Sequence, residues 1–277
     1  MIKQAIKFYS LKELWKNIKS LPLKRKYLAG GSDLIISLKN LDIDCLIDIS
    51  DIKELRVIKE NKDNIFIGAA VKISEIEDND CLKKYAPAIV EAAKFYASPS
   101  IRNIATIGGN IANASPCADG VLALISLQSL CILNYYGKRR IVKVMDLIKD
   151  VKKTILRKDE IIEGFIIPKK GFKSVFLKMM PRKAFGIAKA GLCVSYIANK
   201  YYINDISIAV SSVGPKIIKC IKTEKFLKNK FLNEEIIKKA SLIIRKEISP
   251  ISDYRSTAYY RTEIISTFLV RALNSIK

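Results

Sequence analysis

The sequence predicts an α+β protein, and three observations carry that prediction. Within the first 75 residues, short strand-like runs alternate with short helical ones, which implies mixed sheets with some parallel pairing. After residue 171 the order changes to three consecutive strand-like runs and then three helical segments, the pattern of a separate α+β domain. Between them, Pro168 closes a β-rich run over 160–167, and Lys169-Lys170-Gly171 forms a natural boundary. The expected division is therefore 1–170 and 171–277, each large enough to bury a core.

Taken in order, residues 10–20 place Leu11, Leu14, Trp15 and Ile18 on one helical face, with Ser10 as N-cap. Residues 26–35 read as a short strand, a Gly30-Gly31 turn and the start of a helix. Such a turn points several free N–H groups at an anion, most often a phosphate, although an ordinary strand–helix turn looks the same. Runs at 45–49 and 65–70 read as strands, and 72–76 as a helical turn. Residues 85–97 read as one helix with Ile89, Ala92, Ala93 and Tyr96 on a common face. No G-x-G-x-x-G follows a strand, so a Rossmann nucleotide site is not indicated. A short apolar helix is expected over 120–128, then strands at 130–136 and 140–144 joined across Tyr136-Gly137-Lys138-Arg139. The second domain is expected to hold strands at 175–179, 192–197 and 203–211. Helices near 221–229, 234–247 and 256–275 complete it, the last with Ile264, Ile265, Phe268, Leu269 and Ala272 on its apolar face.

Residues 97–119 are dense in groups that contact a ligand through backbone and short polar side chains. Gly108 and Gly109 lack a Cβ, and Ser98, Thr106, Asn110, Asn113, Ser115 and Asp119 supply hydroxyls, amides and a carboxylate. This is the wall of a site for a large polar ligand.

Composition narrows the chemistry. The chain has no histidine, and its six cysteines are widely spaced, with no C-x-x-C pair. That argues against zinc, against an iron–sulfur cluster held by this chain alone, and against Ser-His-Asp or Cys-His catalysis. A cofactor is then expected to carry any enzymatic chemistry. The N-terminal residues contain no apolar run of signal-peptide length and no stretch approaches membrane-span length, so a cytoplasmic protein is expected. The formal net charge of +22 invites a nucleic-acid reading. The basic residues are mostly lysine scattered from end to end, which reads as compositional bias, and no zinc-finger, RRM or helix-turn-helix signature accompanies them.

Four stretches together resemble the FAD-binding subunits and domains of the molybdenum hydroxylases, the family of xanthine dehydrogenase and carbon monoxide dehydrogenase. They are Leu28-Ala29-Gly30-Gly31-Ser32-Asp33-Leu34; residues 98–119, containing Thr106-Ile107-Gly108-Gly109-Asn110 and Ser115-Pro116-Cys117-Ala118-Asp119; Phe176-Leu177-Lys178-Met179-Met180-Pro181-Arg182-Lys183-Ala184; and Pro250-Ile251-Ser252-Asp253-Tyr254-Arg255-Ser256-Thr257-Ala258-Tyr259-Tyr260-Arg261. Departures include Ser32 for the usual Thr, Ser256 for a Gly, and Cys117, read as a buried thiol. Arg102 and Arg255 are candidates for bridging domains or subunits, with structural salt bridges as the plainer reading.

The resemblance implies a vanillyl-alcohol-oxidase-type (PCMH) FAD-binding fold. Two α+β subdomains, about 1–55 and 56–170, would clasp the cofactor, and a C-terminal domain with a three-stranded antiparallel sheet and helices would follow. It implies non-covalent FAD, held at Ala29, Gly30, Gly31, Ser32, Asp33 and Leu34 and at Thr106, Ile107, Gly108, Gly109 and Asn110 as two halves of a pyrophosphate cradle. Tyr96, Asn113, Asp119, Ile162 and Lys178 would line the remainder, with Asp119 accepting from ribityl or ribose hydroxyls. Partner subunits would carry molybdopterin and [2Fe–2S] clusters, and NAD⁺ is the expected acceptor. An FAD-binding assembly module without turnover is the alternative the same residues allow.

Overall fold

The computed structural model describes residues 2–182 and 186–276. Lys183 and Ala184 of the third motif lie outside the described residues. The chain begins with a parallel sheet of β1 (Gln4–Lys7), β2 (Arg25–Leu28) and β3 (Cys45–Asp48), with β3 in the centre. Helix α1 (Leu11–Asn17) packs on it, and the Ser10 hydroxyl accepts from Glu13 N at 3.1 Å as the expected N-cap. Leu14 and Ile18 are fully buried against Cys45 and Ile47 in a core that also takes in Ala70 and Ile161 from later in the chain. The helix after the Gly-Gly turn, α2 (Leu34–Ser37), is a single turn.

A second sheet runs β4-β5-β10-β6-β7, antiparallel throughout, from β4 (Ile58–Glu60), β5 (Asn64–Gly68), β6 (Leu130–Tyr135), β7 (Lys138–Lys143) and β10 (Ile161–Pro168). The β6–β7 hairpin is tighter than the four-residue turn read from the sequence. Tyr136 and Gly137, at φ 52° and 80°, make the whole connection, as two-residue hairpins with both central residues left-handed do. A smaller hairpin joins β8 (Ile148–Asp150) to β9 (Lys153–Thr154).

Helices cover this sheet: α3 (Ile73–Asp78), α4 (Asp80–Tyr85), α5 (Pro87–Lys94), α6 (Pro99–Arg102), α7 (Ile107–Ala112), α8 (Asp119–Ser126) and α9 (Val144–Leu147). The helix expected over 85–97 is broken twice. Pro87 starts a new helix because it cannot donate within an old one, and Ala97 at φ 40° turns the chain after Lys94. Tyr96 therefore sits on a turn, not on a helix face.

The last part is the expected meander of β11 (Lys173–Met179), β12 (Ala190–Asn199) and β13 (Tyr202–Ser211). The two-residue strands β14 (Ile218–Lys219) and β15 (Lys230–Phe231) both add to β13. Helices α10 (Ile221–Leu227), α11 (Glu234–Arg245) and α12 (Ala258–Asn274) follow, and Ile265, Phe268, Leu269 and Ala272 of α12 enter the core under this sheet. Helix α8 packs on β12 and β13, where the Ser126 hydroxyl lies 3.0 Å from both Ser195 Oγ and Cys193 Sγ.

Candidate functional site

A cleft of about 530 Å³ opens between the parallel sheet and the second sheet, a size ordinary for a small-molecule site. Its first wall is the loop after β2. Gly31 holds φ 68°, a conformation that a side chain resists, and the turn it makes leaves the backbone N–H groups of residues 30–34 without a protein acceptor among the described residues. Successive unspent N–H groups on a tight turn form a concave anion-binding surface. Gly30 serves a different end: a Cβ there would collide with Ile104 O, so its absence lets the two walls approach.

The second wall is built on α7. Thr106 caps the helix, accepting from Gly109 N at 3.1 Å through its hydroxyl and from Asn110 N at 3.0 Å through its carbonyl. Gly108 N donates to Ala69 O at 2.8 Å and Ile107 N to Val71 O at 3.0 Å. In the expected second half of the cradle, the N–H groups of residues 107–110 are thus already spent inside the protein. This wall offers the Thr106 hydroxyl proton and the Asn110 amide, whose Oδ1 is buried without a partner among the described residues. Gly108 is a packing glycine, since a Cβ would lie 2.7 Å from Ala69 O; Gly109 is exposed towards the cleft.

Ala29, Gly30, Gly31, Ser32, Asp33, Leu34, Tyr96, Thr106, Gly108, Gly109, Asn110, Asn113 and Ile162 all line the cleft. The phenol of Tyr96 is mostly enclosed, and that burial pushes its pKa up. Three residues of the expected set stand off the wall. Ile107 points its side chain into the core, fully buried. Asp119 and Lys178 form a buried ion pair, Oδ2 to Nζ at 2.7 Å, and Lys178 also donates to Phe95 O at 3.0 Å. Burial, opposed by the Lys178 charge, raises the Asp119 pKa to about 6, and its Oδ1 has no partner among the described residues. The carboxylate expected to take sugar hydroxyls is thus held by a lysine instead.

Residues that the sequence did not single out complete the cleft, among them Tyr27, Leu41, Ala69, Glu160, Ile161 and Lys152. Ile161 had a usable signal, as the neighbour of Ile162 on a strand that starts at the cleft. Lys152 had none, being one lysine in a lysine-rich hairpin. Cys117 is half-buried and not sealed in a core: the Ser212 hydroxyl donates to its Sγ at 3.0 Å, and Arg255 Nη1 lies 3.7 Å away. Arg255 thereby joins the C-terminal part to the loop before α8, while also pairing with Asp253 at 2.6 Å; Arg102 pairs with Glu77 at 2.8 Å.

The donor set suits a dinucleotide: neutral N–H groups for a pyrophosphate on one wall, and hydroxyl and amide groups opposite. Residues 4–170 match the family model for the FAD-binding domain in molybdopterin dehydrogenase, and 175–276 match the CO dehydrogenase flavoprotein C-terminal domain. The chain belongs to this flavoprotein family. It is 30% identical over 253 residues to the glyceraldehyde dehydrogenase medium chain of Sulfolobus acidocaldarius, covering 90% of this chain and 89% of that protein. It is 27% identical to the xanthine dehydrogenase FAD-binding subunit of Escherichia coli O157:H7, covering 90% and 87%. The structure of carbon monoxide dehydrogenase from Hydrogenophaga pseudoflava superposes with a TM-score of 0.93 at 27% identity, over 100% of this chain and 97% of that one. The fold of this flavoprotein is therefore the PCMH-type FAD-binding fold, and it is an oxidoreductase subunit of the xanthine and CO dehydrogenase type. Among the described residues no helix is long and apolar enough to cross a membrane, and no cluster of three or more metal-ligating side chains occurs.

Proposed function

We propose that the chain holds FAD non-covalently across this cleft as the flavin-bearing, electron-transfer subunit of a cytoplasmic molybdenum-containing hydroxylase. The bound flavin supplies electron exchange between [2Fe–2S] clusters of a small partner subunit, fed by a molybdopterin-binding large subunit, and NAD⁺ or another acceptor. This chain's own residues bind and orient. The loop of residues 30–34 receives the pyrophosphate on its N–H groups; the Thr106 hydroxyl and Asn110 amide close from the other side; Ile161 and Ile162 present an apolar edge. Asp119 and Lys178, paired behind the cleft and off its wall, hold the Phe95 carbonyl one residue before Tyr96, which lines it. No side chain acts as a general base, in keeping with a chain that has no histidine, which also leaves no histidine for covalent flavin attachment.

The observation that carries this reading is the run of N–H groups at residues 30–34 that have no acceptor among the described residues and face a cleft of about 530 Å³. The test is to purify the chain, add FAD and remove the excess. A retained flavin spectrum that bleaches with NADH is expected. A chain that stays colourless overturns the proposal, and retained flavin that NADH cannot reduce removes NAD⁺ as acceptor.

A further inference from the structure

Lys152 lies at the tip of the β8–β9 hairpin in the left-handed conformation, φ 57°, and its own N–H is anchored to Ala114 O at 3.0 Å. From that fixed base its side chain reaches both walls of the cleft. Nζ lies 3.2 Å from Asp33 Oδ2 on the first wall and donates to Asn113 Oδ1 at the end of α7 on the second. The bridge is half-exposed, with side-chain exposure of 52% for Lys152 and 62% for Asp33, so it holds the walls together only weakly and exchanges readily.

The charges around the cleft give this bridge a purpose. Among the described residues its lining contains two acidic residues, Asp33 and Glu160, and two lysines, Lys26 and Lys152. Glu160 is neutralised by Arg140 at 2.7 Å, which leaves Asp33 as the carboxylate beside the anion-binding turn. The turn offers neutral N–H groups alone, and Asp33 beside it repels an incoming pyrophosphate. Among the described residues, Lys152 is the cation that reaches Asp33.

We propose that Lys152 is a movable counter-cation for the pyrophosphate of the bound dinucleotide: it bridges Asp33 and Asn113 across the mouth and transfers its ammonium to the phosphates as they settle on residues 30–34. The proposal deepens the FAD reading and rests on it. Lysine suits the task, as a compact charge on a flexible stem with three rotatable donors.

The experiment titrates FAD and riboflavin, by flavin fluorescence, into the full-length wild-type chain and into K152Q, K152R and K26Q. Riboflavin carries no phosphate and separates a charge effect from damage to the cleft. The expected result is a Kd for FAD about tenfold higher in K152Q, with riboflavin binding unchanged, FAD binding restored in K152R, and a clearly smaller effect in K26Q. The difference between wild type and K152Q is expected to shrink towards about 1 M salt, where the screening length falls to about 3 Å. Equal FAD affinities in wild type and K152Q overturn the proposal, as does a K152Q that weakens riboflavin equally or a K26Q that matches it. A wild type that binds no FAD overturns the parent reading and this one together; a wild type that binds FAD beside an unaffected K152Q overturns this one alone.

Discussion

Replacing Gly30 by alanine tests whether the cleft depends on the close approach of its two walls. The new Cβ would overlap Ile104 O and sit 2.8 Å from Ile104 C and 2.9 Å from Ala105 Cα, all of them backbone atoms. That backbone cannot yield, because Ile104 N and Ala105 N are both tied to Ile101 O, and Ala105 O accepts from Ile73 N at 2.9 Å. Relief requires the walls to separate. Overpacking of this kind costs about 1–3 kcal/mol, and the upper half of that range applies where no side chain can swing aside. Gly137→Ala is the matched comparison. It sits at φ 80° with nothing within 4 Å of its would-be Cβ, so it pays only the left-handed penalty of about 1–2 kcal/mol. Urea unfolding of both variants, paired with FAD titration, separates the two costs. G30A is expected to lose at least as much stability as G137A and, unlike it, to bind FAD at least tenfold more weakly. A G30A chain with wild-type FAD affinity refutes the claim that Gly30 sets the spacing of the walls.

Lys178→Met removes the counter-charge of a buried carboxylate and is expected to cost about 3–5 kcal/mol at pH 8, most of it recovered in the D119N/K178M double variant, by urea unfolding. The pH dependence follows from the raised pKa of Asp119, about 6 in the fold through burial. The folded chain holds a proton there that the unfolded chain has already released. This group's contribution is therefore greatest below about pH 4 and is lost as pH rises through 6, a slope that D119N should remove from the stability–pH profile. Alkylation of the native chain with iodoacetamide, read by peptide mass, is expected at the half-buried Cys81 and Cys117, with Cys45, Cys131, Cys193 and Cys220 labelled only after unfolding. Burial pushes the thiol pKa up in these four, to about 12 for Cys193, and also in Cys81, so exposure and not acidity sets the expected contrast.

What could be read from the sequence was what local chemistry decides. Ser10 and the spacing of Leu11, Leu14 and Ile18 announce α1, and the long strands of the C-terminal meander show as β-rich runs. The cleft's membership was legible wherever it lay in a compact motif, as with residues 29–34. Its hydrogen bonding was not. Whether Gly108 N–H is free depends on Ala69 O, 39 positions earlier, and the same holds for Ile107 and Val71. Asp119 and Lys178 could each be named, yet their pairing across 59 positions is a product of the fold. Lys152 acquires its meaning only from the hairpin that carries it to Asp33 and Asn113.

The core beneath the parallel sheet is closed by Ala70 and Ile161, which belong to the far side of the cleft. Seen as a timetable of synthesis, this means that the first 55 residues leave the ribosome with every strand of their sheet but an unfinished interior. Ile161 supplies the last piece more than one hundred residues later, on the same strand that brings Ile162 to the cleft wall. Completing the small sheet and bringing its anion-binding loop opposite its counterpart are then one event. A nascent chain passes its early stages with the phosphate turn already encoded and nothing yet to face it.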